Sequence, residues 1–153
     1  MDSIFENLYV SRELQAILFA SICSKYKITR TELLILLLLK NNVLITATDI
    51  VNKLKIAKSH VSTSVRDLEQ RGYVKSSFEG NNHRSIHLQL CDSAWDIVLA
   101  GENVQNKFIS ILCNGFSEDE LQTLKQYVQR MSLNANEYIN KKTCRLTDEG
   151  EHL

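Results

Sequence analysis

Residues 46–90 read TATDIVNKLKIAKSHVSTSVRDLEQRGYVKSSFEGNNHRSIHLQL. Two short helical segments are separated by a turn at residues 55–57, and two segments rich in strand formers then flank the polar residues 79–83. Thr46 with Asp49 predicts a capping box at the start of the first helix. Gly72 predicts a left-handed end to the second helix. The order helix, turn, helix and hairpin predicts a winged helix-turn-helix, a fold that places one helix in the DNA major groove.

The second helix, residues 58–71, has two faces of different chemistry. At about 100° per residue, Val61, Val65 and Leu68 form a narrow apolar stripe that suits packing on a core. The side chains on or beside the opposite face can hydrogen-bond to base edges or phosphates. They are Lys58, Ser59, His60, Ser62, Thr63, Arg66 and Gln70. We therefore predict that this face contacts duplex DNA.

These residues resemble the MarR family of bacterial regulators. Residues 54–62, LKIAKSHVS, and 65–74, VRDLEQRGYV, are similar to that family's recognition-helix pattern, and residues 82–90, NHRSIHLQL, are similar to its wing signature. Asn82 and His83 stand where the family usually has Asp and Arg, and Cys91 stands where it usually has Thr. The resemblance implies that His83 and Arg84 contact DNA from the wing. It also implies a two-fold homodimer on an inverted-repeat site, most often acting as a repressor.

The whole chain of 153 residues, 44% of them hydrophobic, can bury the core of one domain, and no Ser/Gly-rich linker divides it. We expect a mainly α fold with a small β-hairpin wing. Residues 30–90 form the winged-helix part, residues 1–25 and 92–141 form dimerisation helices, and residues 142–153 form a flexible tail.

The charge distribution supports this division. Net charge is zero, but residues 46–90 carry seven Lys or Arg against four Asp or Glu, whereas residues 91–153 carry six against ten. The basic surplus thus lies in the predicted DNA reader, and the acidic segment lies outside it. Apolar residues at helical spacing on both sides of the reader are too many for about 45 residues to cover, which favours a homodimer.

Several other classes of protein are disfavoured. The apolar run at residues 33–39 is far shorter than the roughly 20 residues of a membrane span and predicts a buried helix instead. The first residues lack the basic region of a signal peptide, so we expect a cytoplasmic protein with no membrane partner. No catalytic motif, phosphate loop or metal-ligand spacing occurs, so we expect neither an enzyme nor a metal or cofactor.

Two alternatives stay open beside the DNA-binding regulator. Cys23 and Cys113 are candidates for a thiol-based redox sensor, although Gln15 stands where the family's peroxide-sensing branch has its reactive Cys. A winged helix can also serve as a protein-interaction module that never binds DNA. The resemblance further implies a small effector between the dimer helices and the reader, in a cleft lined from the first, second and fifth helices. An apolar lining suits a hydrophobic compound, and the absence of any ligand is equally open.

Overall fold

The computed structural model describes residues 2–41, 45–79 and 82–148, except for the side chains of residues 2, 4, 5, 78, 79, 82–85 and 142–148. The chain divides into two compact units, Met1–Leu112 and Cys113–Leu153. Its elements, in order, are α1 (Asp2–Tyr26), α2 (Arg30–Lys40), α3 (Ala47–Leu54), α4 (Lys58–Gln70), β1 (Val74–Glu79), β2 (Asn82–Leu90), a 3-10 turn (Asp92–Ala94), α5 (Trp95–Leu112) and α6 (Glu118–Asp148). The predicted fold class, mainly α with a hairpin wing, is confirmed.

The apolar run predicted to be a buried helix is α2, at the centre of the first unit. Thr29 caps it: its Oγ1 accepts the Glu32 N–H at 3.1 Å, and the Glu32 carboxylate accepts the Thr29 N–H in return. This capping box satisfies backbone groups that would otherwise lack partners at the buried start of the helix. The buried apolar side chains of α2 are Leu33, Ile35, Leu36, Leu37 and Leu39.

Around α2 pack α1, α3, α4, α5 and β2, which together close one hydrophobic core. Each element contributes its apolar stripe, as the helical and strand periods require. The contributors from outside α2 include Phe19, Ile22, Ile50, Val61, Leu68, Leu88, Ile97 and Val98. The first unit therefore has a complete core of its own.

Gly101 lies inside α5, where a glycine costs up to about 1 kcal/mol relative to alanine. A Cβ at this position would lie 3.1 Å from Leu33 Cδ1 and 3.1 Å from Leu37 Cδ2. The missing side chain lets α5 approach α2 more closely than any other residue would allow without displacing these leucines. Close packing of the two helices thus offsets the weaker helix propensity.

β1 and β2 form an antiparallel hairpin in which Val74 pairs with Leu90 and Ser76 with Leu88. The N–H of Leu88 also donates to the Ile45 carbonyl at 2.8 Å, so the chain before α3 bridges to the hairpin. The predicted turn at residues 79–83 is shorter in the structure, because a register shift after Phe78 lets Glu79 pair with Asn82. Residues 80 and 81 lie outside the described part of the chain.

The second unit is dominated by α6. Ser117 and Glu120 form a capping box at the start of α6, with Ser117 N–H donating to Glu120 Oε2 at 2.8 Å and Ser117 Oγ accepting the Glu120 N–H at 3.3 Å. Every side chain of residues 118–141 is exposed. The helix continues past residue 141 to Asp148. Among the side chains of residues 118–141, the apolar ones are therefore not covered by a core.

Across the described residues, the helices are either too short or too polar to traverse a lipid bilayer.

Candidate nucleic-acid interface

The two faces predicted for residues 58–71 are the two faces of α4. Val61, Val65 and Leu68 are buried in the core of the first unit, together with Ser64. The seven helix residues predicted to contact DNA are all exposed: Lys58, Ser59, His60, Ser62, Thr63, Arg66 and Gln70. The buried stripe therefore fixes the rotation of α4 about its axis and presents a continuous polar face to solvent.

The start of α4 differs from the starts of α2 and α3. Its N-cap residue, Ala57, supplies no side-chain hydrogen bond, and its first turn contains no acidic residue. The backbone N–H groups of a first helical turn carry partial positive charge and attract anions, phosphate among them. Lys58 adds a full positive charge at the same end. This end of α4 thus has the electrostatics that a DNA phosphate requires.

A tight turn joins α3 to α4. Lys55 adopts a left-handed conformation with φ of 54°, and its N–H donates to the Val51 carbonyl at 2.9 Å. α3 begins with the predicted Thr46–Asp49 capping box, and the Thr46 hydroxyl and N–H hold the pKa of the Asp49 carboxyl below its usual value. Both helix ends are therefore defined locally. Short-range hydrogen bonds thus define the turn of the helix-turn-helix.

Arg66 lies in the middle of the exposed face with 66% of its side chain accessible to solvent. Its Nε lies 3.6 Å from Asp67 Oδ1, whose side chain is also largely exposed. Such a surface ion pair is worth between zero and about 1 kcal/mol. Because the contact runs through Nε, it does not use the paired Nη groups, which are the atoms that can bind a guanine or a phosphate in two places.

The hairpin is held beside α4 by a hydrogen bond from Ser76 Oγ to the Glu69 carboxylate. β2 carries the two predicted wing contacts, His83 and Arg84, whose side chains lie outside the described residues. The backbone nevertheless places both near the tip of the hairpin. The wing thus extends from the end of the same helix that presents the polar face.

Sequence reasoning counted Arg71 among the basic residues of the reader and assigned it no separate role. In the structure its guanidinium donates to the carbonyls of Lys27 and Tyr26, both at 2.7 Å, and lies over the ring of Tyr73. A basic residue suits a helix C-terminus, where carbonyl groups carry partial negative charge. These carbonyls belong to the last residue of α1 and the residue after it, more than 40 positions away, so this contact left no signal in the sequence.

The predicted redox candidates occupy different settings. Cys23 is half-buried against the core, and burial raises the pKa of its thiol, which disfavours the reactive thiolate. Cys113 is half-buried as well and follows α5. Within the described residues both cysteines carry free thiols.

Small clefts border the helices of the first unit. A cavity of about 160 Å³ lies between α3 and α4, lined in part by Val51, Lys58 and Val61. A second, of about 220 Å³, is lined mainly by leucines of α2 with Leu54 and Gln105. Leu54 comes from α3, so this cleft differs from the expected one between the first, second and fifth helices. Among the described side chains, no group of three His, Cys, Asp or Glu is placed to hold a metal ion.

Comparison with known proteins agrees with this geometry. Residues 26–85 match the model of the MarR family. A putative MarR family transcriptional regulator from Listeria monocytogenes, solved in complex with a 26mer DNA, superposes with a TM-score of 0.80 at 18% identity, over 92% of this chain and 93% of that one.

Two further structures are similar. A MarR protein from Peptoclostridium difficile has a TM-score of 0.78 at 21% identity, over 92% of each chain. The S. aureus MepR–DNA complex has a TM-score of 0.73 at 19% identity, over 86% of this chain and 94% of that one. No match was found among curated protein sequences. Residues 26–85 therefore match the MarR family model, and the chain has the fold of solved MarR-family structures.

Proposed function

We propose that the protein is a homodimeric transcriptional regulator that binds duplex DNA at specific sequences. The observation that carries this proposal is α4, whose buried stripe leaves a polar face and an uncapped, acid-free first turn exposed to solvent. Such a face offers hydrogen bonds to base edges, and such a helix start suits a phosphate. Two solved structures with this fold are themselves DNA complexes.

The dimer is inferred from α6. Leu121, Leu124 and Val128 lie on one stripe of this helix, and Leu124 and Val128 are 39% and 52% exposed in the single chain. An uninterrupted apolar stripe on a long exposed helix favours association with another apolar surface. A second copy of the chain supplies such a surface with two-fold symmetry. α1, which spans most of the predicted dimerisation segment at residues 1–25, would contribute to the same assembly.

In this dimer, two copies of α4 would enter successive major grooves, and each wing would contact the flanking backbone or minor groove. Arg66 and Gln70 would read base edges from the helix, with Lys58 on phosphate, and His83 and Arg84 would anchor the wing. Operators for such dimers place their half-sites about one helical turn apart, roughly 34 to 36 Å. The site should therefore be an inverted repeat.

Repression follows if the bound dimer blocks a promoter in the cytoplasm. Affinity would change when the distance between the two copies of α4 changes, so a small hydrophobic effector could regulate it. The leucine-lined cleft of about 220 Å³ is large enough for a small apolar group. It is the candidate for such a ligand within the first unit.

The proposal is tested by selecting duplexes that the purified protein binds from a random pool and sequencing them. Footprinting should then show two protected half-sites, and sedimentation of the complex should give two chains per duplex. Binding that survives several hundred millimolar salt with no sequence preference would contradict specific DNA reading, as would one half-site bound by a monomer. The protein-interaction alternative predicts no selected sequence at all.

Differential alkylation of the four cysteines before and after mild peroxide distinguishes a redox-sensing regulator from one without a thiol switch. It is done on the free protein and on the DNA complex. A regulator controlled through Cys23 or Cys113 should lose alkylation at that residue and lose affinity together. A regulator without a thiol switch should keep its affinity when both cysteines are replaced by serine.

A further inference from the structure

We propose that Arg71 is a positioning residue, which holds the C-terminal end of α4 against the C-terminal end of α1 and thereby sets the angle at which α4 meets DNA. This inference rests on the proposed DNA binding and adds to it a residue that does not contact the nucleic acid. Arg71 is the C-cap residue of α4, and its own N–H donates to the Asp67 carbonyl at 3.1 Å. Its backbone is therefore part of the end of the helix.

The side chain leaves α4 and bridges two carbonyls of another element. Nη1 donates to Lys27 O and Nη2 donates to Tyr26 O, each at 2.7 Å. Both distances are short for N–H donors, as is usual when the donor is charged. The fork of the guanidinium can span two adjacent carbonyls at once, which a lysine ammonium cannot do with the same geometry.

The carbonyls that Arg71 bridges are at a sharply defined chain reversal. Lys27 has a φ of 52°, and the N–H of Ile28 donates back to the Cys23 carbonyl at 3.0 Å, which ends α1. The last carbonyls of a helix of 25 residues carry the negative end of its dipole. Arg71 therefore supplies a positive charge where α1 ends and carbonyls still need partners.

The same region is braced from two further sides. The Tyr73 ring lies under the guanidinium with 4.9 Å between ring centroid and Cζ, and its hydroxyl is 3.5 Å from Nη2. Ser93 Oγ donates to the Gly72 carbonyl at 2.6 Å, which ties the segment after α4 to the turn before α5. Because Gly72 and Tyr73, the two residues after Arg71, are held in this way, a movement of the end of α1 is transmitted to α4 through the guanidinium.

An arginine beside a DNA-binding helix could instead contact a phosphate, but the contacts of the Arg71 guanidinium oppose that role. Three of the guanidinium contacts go to protein oxygens, and one of its faces is covered by Tyr73. A phosphate contact contributes about one unit to the slope of log affinity against log salt, whereas a positioning residue contributes none. This difference separates the two roles experimentally.

The test compares Arg71→Ala with Lys58→Ala on a selected duplex over a range of salt concentrations. Arg71→Ala should lower the affinity about tenfold with the salt slope unchanged, and Lys58→Ala should lower the slope by about one unit. Arg71→Lys should behave like Arg71→Ala, because it keeps the charge but loses the bridge. A reduced slope for Arg71→Ala, or wild-type affinity for Arg71→Lys, would overturn the proposal.

Hydrogen exchange on the protein without DNA provides a readout that does not depend on the proposed function. Arg71→Ala should speed exchange in the last turns of both α1 and α4 and leave that of α2 unchanged. If Arg71→Ala does not fold, Tyr73→Leu provides the milder variant and should change the same two turns. Unchanged exchange at the end of α1 refutes the link even if DNA binding is confirmed. Failure of the wild-type protein to select any duplex refutes the proposed function while the exchange result still decides the link.

Discussion

α4 and α6 both leave most of their side chains exposed, but the chemistry of the exposed residues is opposite. On α4 the apolar stripe is buried, and what remains outside is Ser, Thr, Arg, Lys, His and Gln. On α6 the apolar stripe itself is exposed, including Leu124 and Val128. α4 is thus complete within one chain and offers its surface to a polar ligand. α6 leaves its apolar stripe uncovered within one chain, which is the basis of the proposed dimer.

The largest effect should come from Leu124→Asp, which places a charge on the apolar stripe of α6. In the single chain Leu124 is 39% exposed, so the substitution should leave the first unit folded. In a dimer it would bury two unpaired carboxylates and cost several kcal/mol of association free energy, because buried charges without partners are strongly unfavourable. Sedimentation equilibrium measures the change.

Gln126→Asp is the matched control, since Gln126 points away from that stripe on the same helix. It should leave the association constant nearly unchanged. An intact, DNA-binding Leu124→Asp dimer would mean that the stripe of α6 is not the contact between subunits, and the contrast with α4 would then need another explanation.

The second prediction concerns the buried side of α4. Leu68 is 0% exposed, so Leu68→Ala should remove about 2 to 5 kcal/mol from the free energy of unfolding, through lost burial and the cavity left behind. Urea denaturation followed by circular dichroism measures this. Gln70→Ala, two residues along the same helix and exposed, should change the unfolding free energy by less than about 0.5 kcal/mol. Equal costs for the two variants would remove the distinction between the faces of α4.

The third prediction concerns the polar face. Arg66→Ala should cost about 1 to 3 kcal/mol on the best duplex and flatten the preference at one base pair, because a forked contact to a base edge is lost. Unfolding should barely change, since its ion pair with Asp67 is exposed. Arg84→Ala in the wing should instead weaken all sequences alike. Loss of base preference in Arg84→Ala but not in Arg66→Ala would reverse the roles assigned to helix and wing.

The smallest effect should be a pH dependence that the two units share through the capping boxes of α3 and α6. Hydrogen bonds to Thr46 hold the pKa of Asp49 low in the folded state, and those to Ser117 do the same for Glu120. A carboxyl whose folded pKa is lowered adds stability above its unfolded pKa of about 4, and loses that stability as pH falls through the lower folded value.

Asp49→Asn should therefore reduce the loss of thermal stability that the first unit shows as pH falls through the acid range. Glu120→Gln should reduce the same pH dependence for α6 and for the assembly, and it should not change the pH dependence of the first unit. Thermal unfolding at several pH values between about 2 and 6 measures both variants. Parallel curves for Asp49→Asn and wild type would show that the capping hydrogen bonds do not stabilise the folded state.

Local chemistry explains what could be predicted. The capping box at the start of α3 is predicted from Thr46 and Asp49, two residue types three positions apart, because both partners are close along the sequence. The exposed and buried faces of α4 followed from helical period alone. Gly72 ends its helix with a φ of 71°, as its lack of a side chain permits. The sequence predicts a hairpin turn over residues 79–83, which is longer than the turn in the structure. The register shift that shortens it depends on cross-strand pairing, which residue types do not specify.

By itself, the sequence determined the order of elements, the capping box at the start of α3 and the face of α4 that meets the core, because each depends on residues within one or two turns of each other. Only the tertiary structure decided the roles of Gly101 and Arg71. Gly101 allows the close packing of α5 on α2, and the Arg71 guanidinium donates hydrogen bonds at the C-terminal end of α1. Both roles depend on atoms brought together from distant parts of the chain, and such contacts exist only after the core has closed.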